Sequence, residues 1–109
     1  MDKIVVLSTC ASREEAQRIA RTLVEARLAA CVNIIPSVTS VYRWEGRIVE
    51  SAELLLIIKS SVELLRRLQE ELQRLHSYEV PEILAVPVTG GLENYLNWMQ
   101  GELLKEERP

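Results

Sequence analysis

The sequence predicts one α+β domain with the element order β-α-β-β-α-β and a terminal helix. The short apolar run 4–7 is typical of a central strand buried on both faces, and the solidly apolar run 54–58 indicates a second strand in the core. Two stretches with apolar residues at helical spacing flank the middle two strands. Pro36 and Pro87 fall in the other two strands, and proline is confined to sheet edges and bulges. This pattern predicts the split βαβ, or ferredoxin-like, sandwich, in which those two strands are the edges.

The first half of the chain begins with the strand at 4–7. Ser12 with Glu15 three residues later has the form of a capping box. The helix that it opens is predicted over 13–28, where apolar residues recur at helical spacing. The strand that begins at Cys31 leads into a hairpin.

The second half begins with another capping box, Ser60 with Glu63, which opens a helix that continues to His76. A strand is predicted over 83–88, where two glycines then break it, and a last helix follows. The segment 102–109 is a polar tail that is predicted to fray.

The hairpin predicted at 38–59 is too long for its domain. Glu45-Gly46 forms its two-residue turn, in which glycine supplies a positive φ. The arm over 47–59 extends roughly 43 Å at the usual rise per strand residue, whereas a compact chain of this length is roughly 34 Å across. Its tip is therefore expected to expose Tyr42 and Trp44, which favours association with other copies. A bent hairpin that folds back onto its own subunit is the alternative.

Composition indicates a single domain, 1–109, of a soluble protein with 27% charged residues and a net charge of −3. That charge gives no reason to expect nucleic acid, because the arginines near 66–74 are interleaved with glutamates. No apolar run approaches the roughly 18 residues of a membrane span, and no export signal opens the chain. Cys10 and Cys31 lack CxxC spacing, so a disulfide is possible but not implied, and we expect a reducing, cytoplasmic setting.

The densest group of functional side chains lies at 76–82, between a helix end and a strand. It contains the only histidine, His76, the phenol of Tyr78 and the carboxylates of Glu79 and Glu82. His76 could be a metal ligand, a general base or a pH-sensitive group. A histidine in the last turn of a helix is also favoured by the macrodipole and can cap the final carbonyls. Both interpretations stay open.

An enzyme is not expected, because no nucleophile elbow and no glycine-rich phosphate loop accompany these side chains. Cys31 is interpreted as a buried strand thiol rather than a nucleophile. Tyr42 and Trp44 share one face of the hairpin at period-two spacing. That position favours an interface anchor over a ligand-stacking pair.

A metal site has no clear spacing signal within one chain. The single histidine, two dispersed cysteines and the carboxylates do not match the clustered ligands of structural zinc. A thiolate with an imidazole would suit copper better than magnesium or calcium. Ligands supplied by neighbouring subunits would escape a search within one chain.

Several segments together resemble the CutA family of divalent-cation tolerance proteins. They read AACVNI (29–34), SVYRWEG (40–46), IKS (58–60), HSYEVPEI (76–83) and YLNW (95–98). The resemblance implies a ferredoxin-like subunit and a homotrimer in which long hairpins pair across subunit boundaries. It also implies a link to tolerance of copper and other divalent metals, and a cytoplasmic setting.

The resemblance also implies which residues bind metal. His76 matches the histidine proposed as a ligand in the family. Ser8 occupies the position where some members have a cysteine, while Cys10 lies two residues further on and on the same strand face. Ser77 replaces the proline common in the motif. The predicted metal ligands are His76, Cys10 and Glu79, and further candidates for a ligand cleft are Cys31, Lys59, Tyr78, Glu82 and Trp44.

Other functions fit the same residues. A signalling trimer built like the PII regulators would bind a small molecule in a cleft between subunits, an interpretation that rests on fold analogy. A structural scaffold needs only the trimer surface. An enzyme using the acid–base groups of 76–82 is the least favoured of these.

Overall fold

The computed structural model describes residues 2–105 and confirms the element order. The elements are β1 (Lys3–Cys10), α1 (Arg13–Glu25), β2 (Cys31–Trp44), β3 (Arg47–Ser61), a 3-10 turn (Val62–Leu64), α2 (Leu65–Leu75), β4 (Leu84–Pro87) and α3 (Glu93–Glu102). The strands form one antiparallel sheet in the order β2-β3-β1-β4. Pro36 and Pro87 therefore lie on edge strands, as predicted.

The hydrophobic core lies between one face of the sheet and the helices. Its fully buried apolar side chains alternate along β1 and β3 and recur at helical spacing on α1 and α2: Val6, Leu56, Ile58, Ile19, Leu23, Leu68 and Leu72. The opposite face is only half-buried in the single chain, for example at Leu7 and Ile57. The sequence predicted that the first strand would be buried on both faces, but within this subunit only one of its faces is fully buried.

Helix α1 begins as predicted and ends earlier. The Ser12 hydroxyl accepts a hydrogen bond from the Glu15 amide at 3.2 Å, which is the first half of the predicted capping box. The helix stops because Arg27 takes a left-handed conformation at φ 60°, and the Leu28 amide then bonds back to the Leu23 carbonyl. This is the Schellman termination, usually built on glycine. An arginine in that position explains why the prediction continued to residue 28.

The second predicted capping box is wrong. Ser60 is the penultimate residue of β3, and its buried hydroxyl donates to the Leu28 carbonyl at 2.7 Å. Ser61 precedes the 3-10 turn without a side-chain cap. The hydroxyl of Ser60 therefore fastens the end of β3 to the chain reversal after α1, where it satisfies a buried backbone acceptor.

The hairpin of β2 and β3 projects from the core, as predicted. Glu45 and Gly46 have φ values of 49° and 79°, a two-residue turn whose twist matches that of the strands. The molecule measures 45 Å along its longest axis but only 30 and 24 Å across. Near the tip, Trp44 is 57% exposed and Ile48 is 64% exposed.

A β-bulge divides the inner half of the hairpin from the outer half. Ile35 pairs with Leu55, and the next pair is Val38 with Glu53, so two residues of β2 oppose one residue of β3. Ser37, inside the bulge, has a φ of 63°. The extra residue reverses the alternation of β2, so that even-numbered residues beyond it share the face of odd-numbered residues before it.

The C-terminal helix packs on the core through Met99. The predicted fraying of the polar tail is wrong for its first residues, because Glu102 ends α3, Leu103 is buried, and the Leu104 amide bonds to the Arg27 carbonyl. The end of that predicted tail, 106–109, lies outside the described residues. Within residues 2–105, no helix is long and apolar enough to cross a membrane.

Candidate functional site

His76 lies directly after α2, with a side chain that is 0% exposed. Its Nε2 is 2.7 Å from the Thr9 carbonyl oxygen, and its Nδ1 accepts a hydrogen bond from the Tyr78 amide at 3.0 Å. A carbonyl only accepts and an amide only donates, so the ring is neutral and carries its proton on Nε2. The end of α2 thus places the His76 ring against the end of β1. The two hydrogen bonds of the ring select the tautomer with the proton on Nε2.

Glu15, from the first turn of α1, holds the residue after the histidine. Its Oε2 accepts from the Ser77 amide at 2.7 Å, and its Oε1 accepts from the Ala11 amide at 3.4 Å. Oε2 also lies 3.8 Å from His76 Nδ1. Burial opposes ionisation, but the hydrogen bonds from Ser77 and Ala11 outweigh it and hold the pKa of Glu15 below its ordinary value. The carboxylate is therefore charged at neutral pH.

Tyr78 connects the histidine to the hairpin. Its ring packs against His76 with centroids 4.7 Å apart, and its hydroxyl donates to Glu53 Oε2 at 2.7 Å. Glu53 lies on β3 just beyond the bulge and is only 7% exposed. Burial, together with the hydrogen bond to the Glu53 carboxylate, raises the pKa of the Tyr78 phenol well above its ordinary value. The phenol stays protonated and acts as a donor.

Cys10, at the end of β1, completes the cluster with a fully buried thiol. Burial and the carboxylates of Glu15 and Glu53 raise the pKa of this thiol to about 11. Its Sγ lies 3.8 Å from the Ser12 carbonyl oxygen. Ser8 is buried on the same face, as predicted, and its hydroxyl has no hydrogen-bond partner within residues 2–105. A thiol in this state binds a cation only after it loses its proton.

The other predicted site residues lie elsewhere. Glu79 and Glu82 are exposed in the segment between α2 and β4. Cys31 pairs with Lys59 on the half-buried face of the sheet, where the Lys59 ammonium donates to the Tyr95 hydroxyl at 3.3 Å. Trp44, at the hairpin tip, is remote in the strand register from all of them. Across residues 2–105, no three His, Cys, Asp or Glu side chains are placed to hold a metal ion.

Two members of the cluster were missed by sequence reasoning. Glu15 was interpreted only as part of a capping box, although its carboxylate reaches Ser77, 62 residues away. Glu53 was not singled out at all. The one available signal was the position of this carboxylate directly before the apolar run 54–58. A charged residue so close to the core is rarely buried without a partner, so a partner elsewhere in the chain was to be expected.

These features define a class of protein. It is a small ferredoxin-like subunit with an overlong hairpin and a buried imidazole–carboxylate–thiol cluster at the foot of the hairpin, which is the end that joins the core. The profile of one family, the CutA1 divalent ion tolerance proteins, matches residues 4–102. The chain belongs to this family.

Individual relatives support the same family. The chain is 51% identical over 96 residues to the divalent-cation tolerance protein CutA of Thermus thermophilus, a match that covers 88% of this chain and 93% of the relative. It is 46% identical over 97 residues to the chloroplastic protein CutA of Arabidopsis thaliana, a match that covers 89% of this chain but 53% of that relative. It therefore spans about half of the plant protein.

Solved structures share the fold over nearly the whole chain. The structure of the divalent cation tolerance protein from Thermus thermophilus superposes with a TM-score of 0.91 at 48% identity and covers 93% of this chain and 98% of the other. CutA1 from Oryza sativa superposes with a TM-score of 0.95 at 42% identity and covers 97% of each chain. The ferredoxin-like fold and the family rest on these matches together.

Proposed function

We propose that this chain acts in divalent-cation tolerance by binding the cation, with copper as the expected one, at the cluster around His76. The observation that carries the proposal is that the fold gathers the only histidine, the Cys10 thiol and the Glu15 carboxylate at one end of the sheet. An imidazole with a thiolate is a donor set that suits copper. We propose a binding protein rather than an enzyme.

The donors fit a cation only after rearrangement. His76 Nδ1 and Glu15 Oε2, 3.8 Å apart, could share one ion, but Nδ1 is occupied by the Tyr78 amide. The Cys10 thiol must release its proton, so binding is expected to release protons and to strengthen as the pH rises. Glu79, exposed in the same segment, is proposed as a donor that movement of this segment would supply.

Copper titration of the reduced protein tests this proposal. Saturable binding is expected, and His76→Ala should weaken it by about 100-fold or more, since loss of a ligand exceeds the 10–100-fold effect of an outer-shell change. Arg74→Ala, an exposed change at the end of the same helix, is the matched control. Cys10→Ser tests the thiol separately. Unchanged affinity in a folded His76→Ala protein would remove His76 from the site.

We further propose that the chain works as a homotrimer joined by its hairpins. In support, the tip exposes Val41, Trp44 and Ile48, and β4 exposes Leu84 and Val86 beside the half-buried sheet face. Exposed apolar surface of this extent is typical of interfaces. Sedimentation equilibrium should give three times the 12.4 kDa chain mass. A folded single-chain species at micromolar concentration would contradict this assembly.

A cytoplasmic location belongs to the same proposal. Cys10 and Cys31 are free thiols, which is typical of a reducing compartment. The matching structure from Archaeoglobus fulgidus is named periplasmic, and the Arabidopsis relative is named chloroplastic. Fractionation of the native organism with detection of this chain tests the assignment directly.

A second candidate function is small-molecule sensing. A groove of about 560 Å³ lies between α1 and β2, with apolar Val24, Val32 and Ile34 beside Arg18 and Arg21. That volume falls within the 300–1,000 Å³ range of ligand sites. A thermal-shift screen with metabolites and nucleotides separates the two functions, because a ligand-specific shift without any response to copper would favour sensing.

A further inference from the structure

The imidazole of His76 has one nitrogen that could accept a cation. Nε2 carries the proton, because its partner 2.7 Å away is the Thr9 carbonyl oxygen. Nδ1 therefore holds the only lone pair in the plane of the ring. The Tyr78 amide takes that lone pair at 3.0 Å. An amide proton and a cation cannot share it, so any ligand for His76 must first displace the backbone of Tyr78.

Tyr78 is held by two hydrogen bonds, one from its backbone amide and one from its side-chain hydroxyl. Its backbone bonds to the histidine, and its hydroxyl bonds to the buried Glu53 carboxylate on β3. The preceding residue, Ser77, is held separately by Glu15. Removal of the phenol–carboxylate bond would thus free Tyr78 while Ser77 remains attached to α1.

We propose that the hydrogen bond between Tyr78 and Glu53 is a latch that controls whether His76 Nδ1 is accessible. This inference rests on the proposed function for its biological meaning, since the latch would regulate cation entry to the same site. With the latch closed, the ring is fully buried and its lone pair is filled. With the latch open, Nδ1 is released with Glu15 Oε2 3.8 Å away as the next donor. Tyr78 and Glu53 are positioning residues, because they act through the ring.

If the hydrogen bond between Tyr78 and Glu53 only stabilised the fold, a different result would be expected. Its removal would lower the unfolding midpoint and leave the reactivity of a folded ring unchanged. Reactivity is measurable here without ambiguity, because His76 is the single histidine of the chain. Carbethoxylation by diethyl pyrocarbonate, followed by its ultraviolet absorbance and reversed by hydroxylamine, therefore reports on one imidazole.

The experiment compares Tyr78→Phe and Glu53→Met with the parent protein, as full-length reduced chains at neutral pH. Methionine keeps the length of the glutamate side chain but removes the carboxylate acceptor. Each variant should raise the carbethoxylation rate roughly tenfold or more, the factor expected from a hydrogen bond to a charged group. The double variant should react no faster than the faster single variant, because both changes remove the same bond. Glu53→Met keeps the test available if Tyr78→Phe does not fold.

Tyr42→Phe is the matched control. It removes a phenol hydrogen bond of similar length, the 2.8 Å bond to Ser51 Oγ, from the outer part of the same hairpin. Its rate should equal that of the parent. If folded Tyr78→Phe and Glu53→Met proteins react at the parent rate, the latch is overturned, whatever the result of the copper titration.

Copper titration of the same proteins addresses the proposed function separately. Tighter or faster binding in the latch variants supports both the latch and the site. Faster carbethoxylation without copper binding by any protein, including the parent, supports the latch and overturns the proposed function.

Discussion

At the foot of the hairpin, Leu56 and Ile58 are completely buried, whereas at its tip Trp44 and Ile48 expose more than half of their surface. The residues at both ends are large and hydrophobic, and they belong to the same hairpin. The difference lies in what covers them, since α1 and α2 pack on the foot and nothing within residues 2–105 covers the tip. The foot therefore stabilises the subunit, and the apolar surface of the tip is available for association.

The largest expected effect comes from the foot. Leu56→Ala should lower the free energy of unfolding by about 2–5 kcal/mol, because it removes buried methyl groups and leaves a cavity. Ile48→Ala, the matched change at the tip, should stay within about 0.5 kcal/mol for the subunit itself. Urea denaturation at several protein concentrations separates subunit stability from association. Equal losses at the two positions would contradict the contrast between foot and tip.

The next effect concerns association rather than folding. Trp44→Ala should weaken assembly by about 2 kcal/mol or more, roughly 30-fold, because buried tryptophans are frequent hot spots of interfaces. Sedimentation equilibrium measures this change. Val24→Ala, a partly exposed change on α1, serves as the control and should leave assembly intact. An unchanged dissociation constant for Trp44→Ala would show that the tip is not an interface.

A smaller effect is expected at the turn. Gly46→Ala should destabilise the protein by about 1 kcal/mol, because a side chain is strained at φ 79° even though no neighbouring atom is in the way. Gly90→Ala adds a methyl group in equally open space without a positive φ, and should be neutral or slightly stabilising. Thermal unfolding of both variants tests the comparison. Equal melting temperatures would mean that the turn relaxes around alanine.

The smallest effect is a pH dependence at the foot. The pKa of Glu15 is held below its ordinary value of 4.5 in the folded chain, so its contribution to stability is present above that value and is lost as the pH falls through the folded pKa. The stability difference between the parent and Glu15→Gln should therefore be constant from about pH 7 to about pH 5 and shrink below about 4.5. Urea midpoints across this range provide the measurement, and a difference that already shrinks above about pH 5 would contradict the assignment.

The fold could be predicted largely because its signals are local. Alternation, helical spacing, prolines at edges and a Glu-Gly turn each act over a few residues, and together they indicated the element order and the overlong hairpin. The errors occurred where one residue had two local interpretations. Arg27 ends α1 in a conformation that favours glycine, and Ser60 bonds across the fold instead of capping the helix that follows it.

The site could be predicted only in part. His76, Tyr78 and Cys10 were recognised from their chemistry and their resemblance to a family motif, and they meet in one cluster. The two carboxylates that organise the cluster were not recognised, since Glu15 bonds to Ser77 62 positions away and Glu53 to Tyr78 25 positions away. No short pattern encodes such distant pairs, and they follow only from the register of the sheet and the packing of α1.

The bulge at Pro36-Ser37 restricts how the hairpin can change in length during evolution. Loss of Ser37 alone would turn every outer residue of β2 to the opposite side of the ribbon, moving Tyr42 and Trp44 away from the face they now share. Insertions between the bulge and Tyr42 avoid this outcome only if they add an even number of residues to each arm. Hairpins of related chains should accordingly differ in length by whole pleats, with odd-numbered insertions tolerated only where a compensating bulge accompanies them.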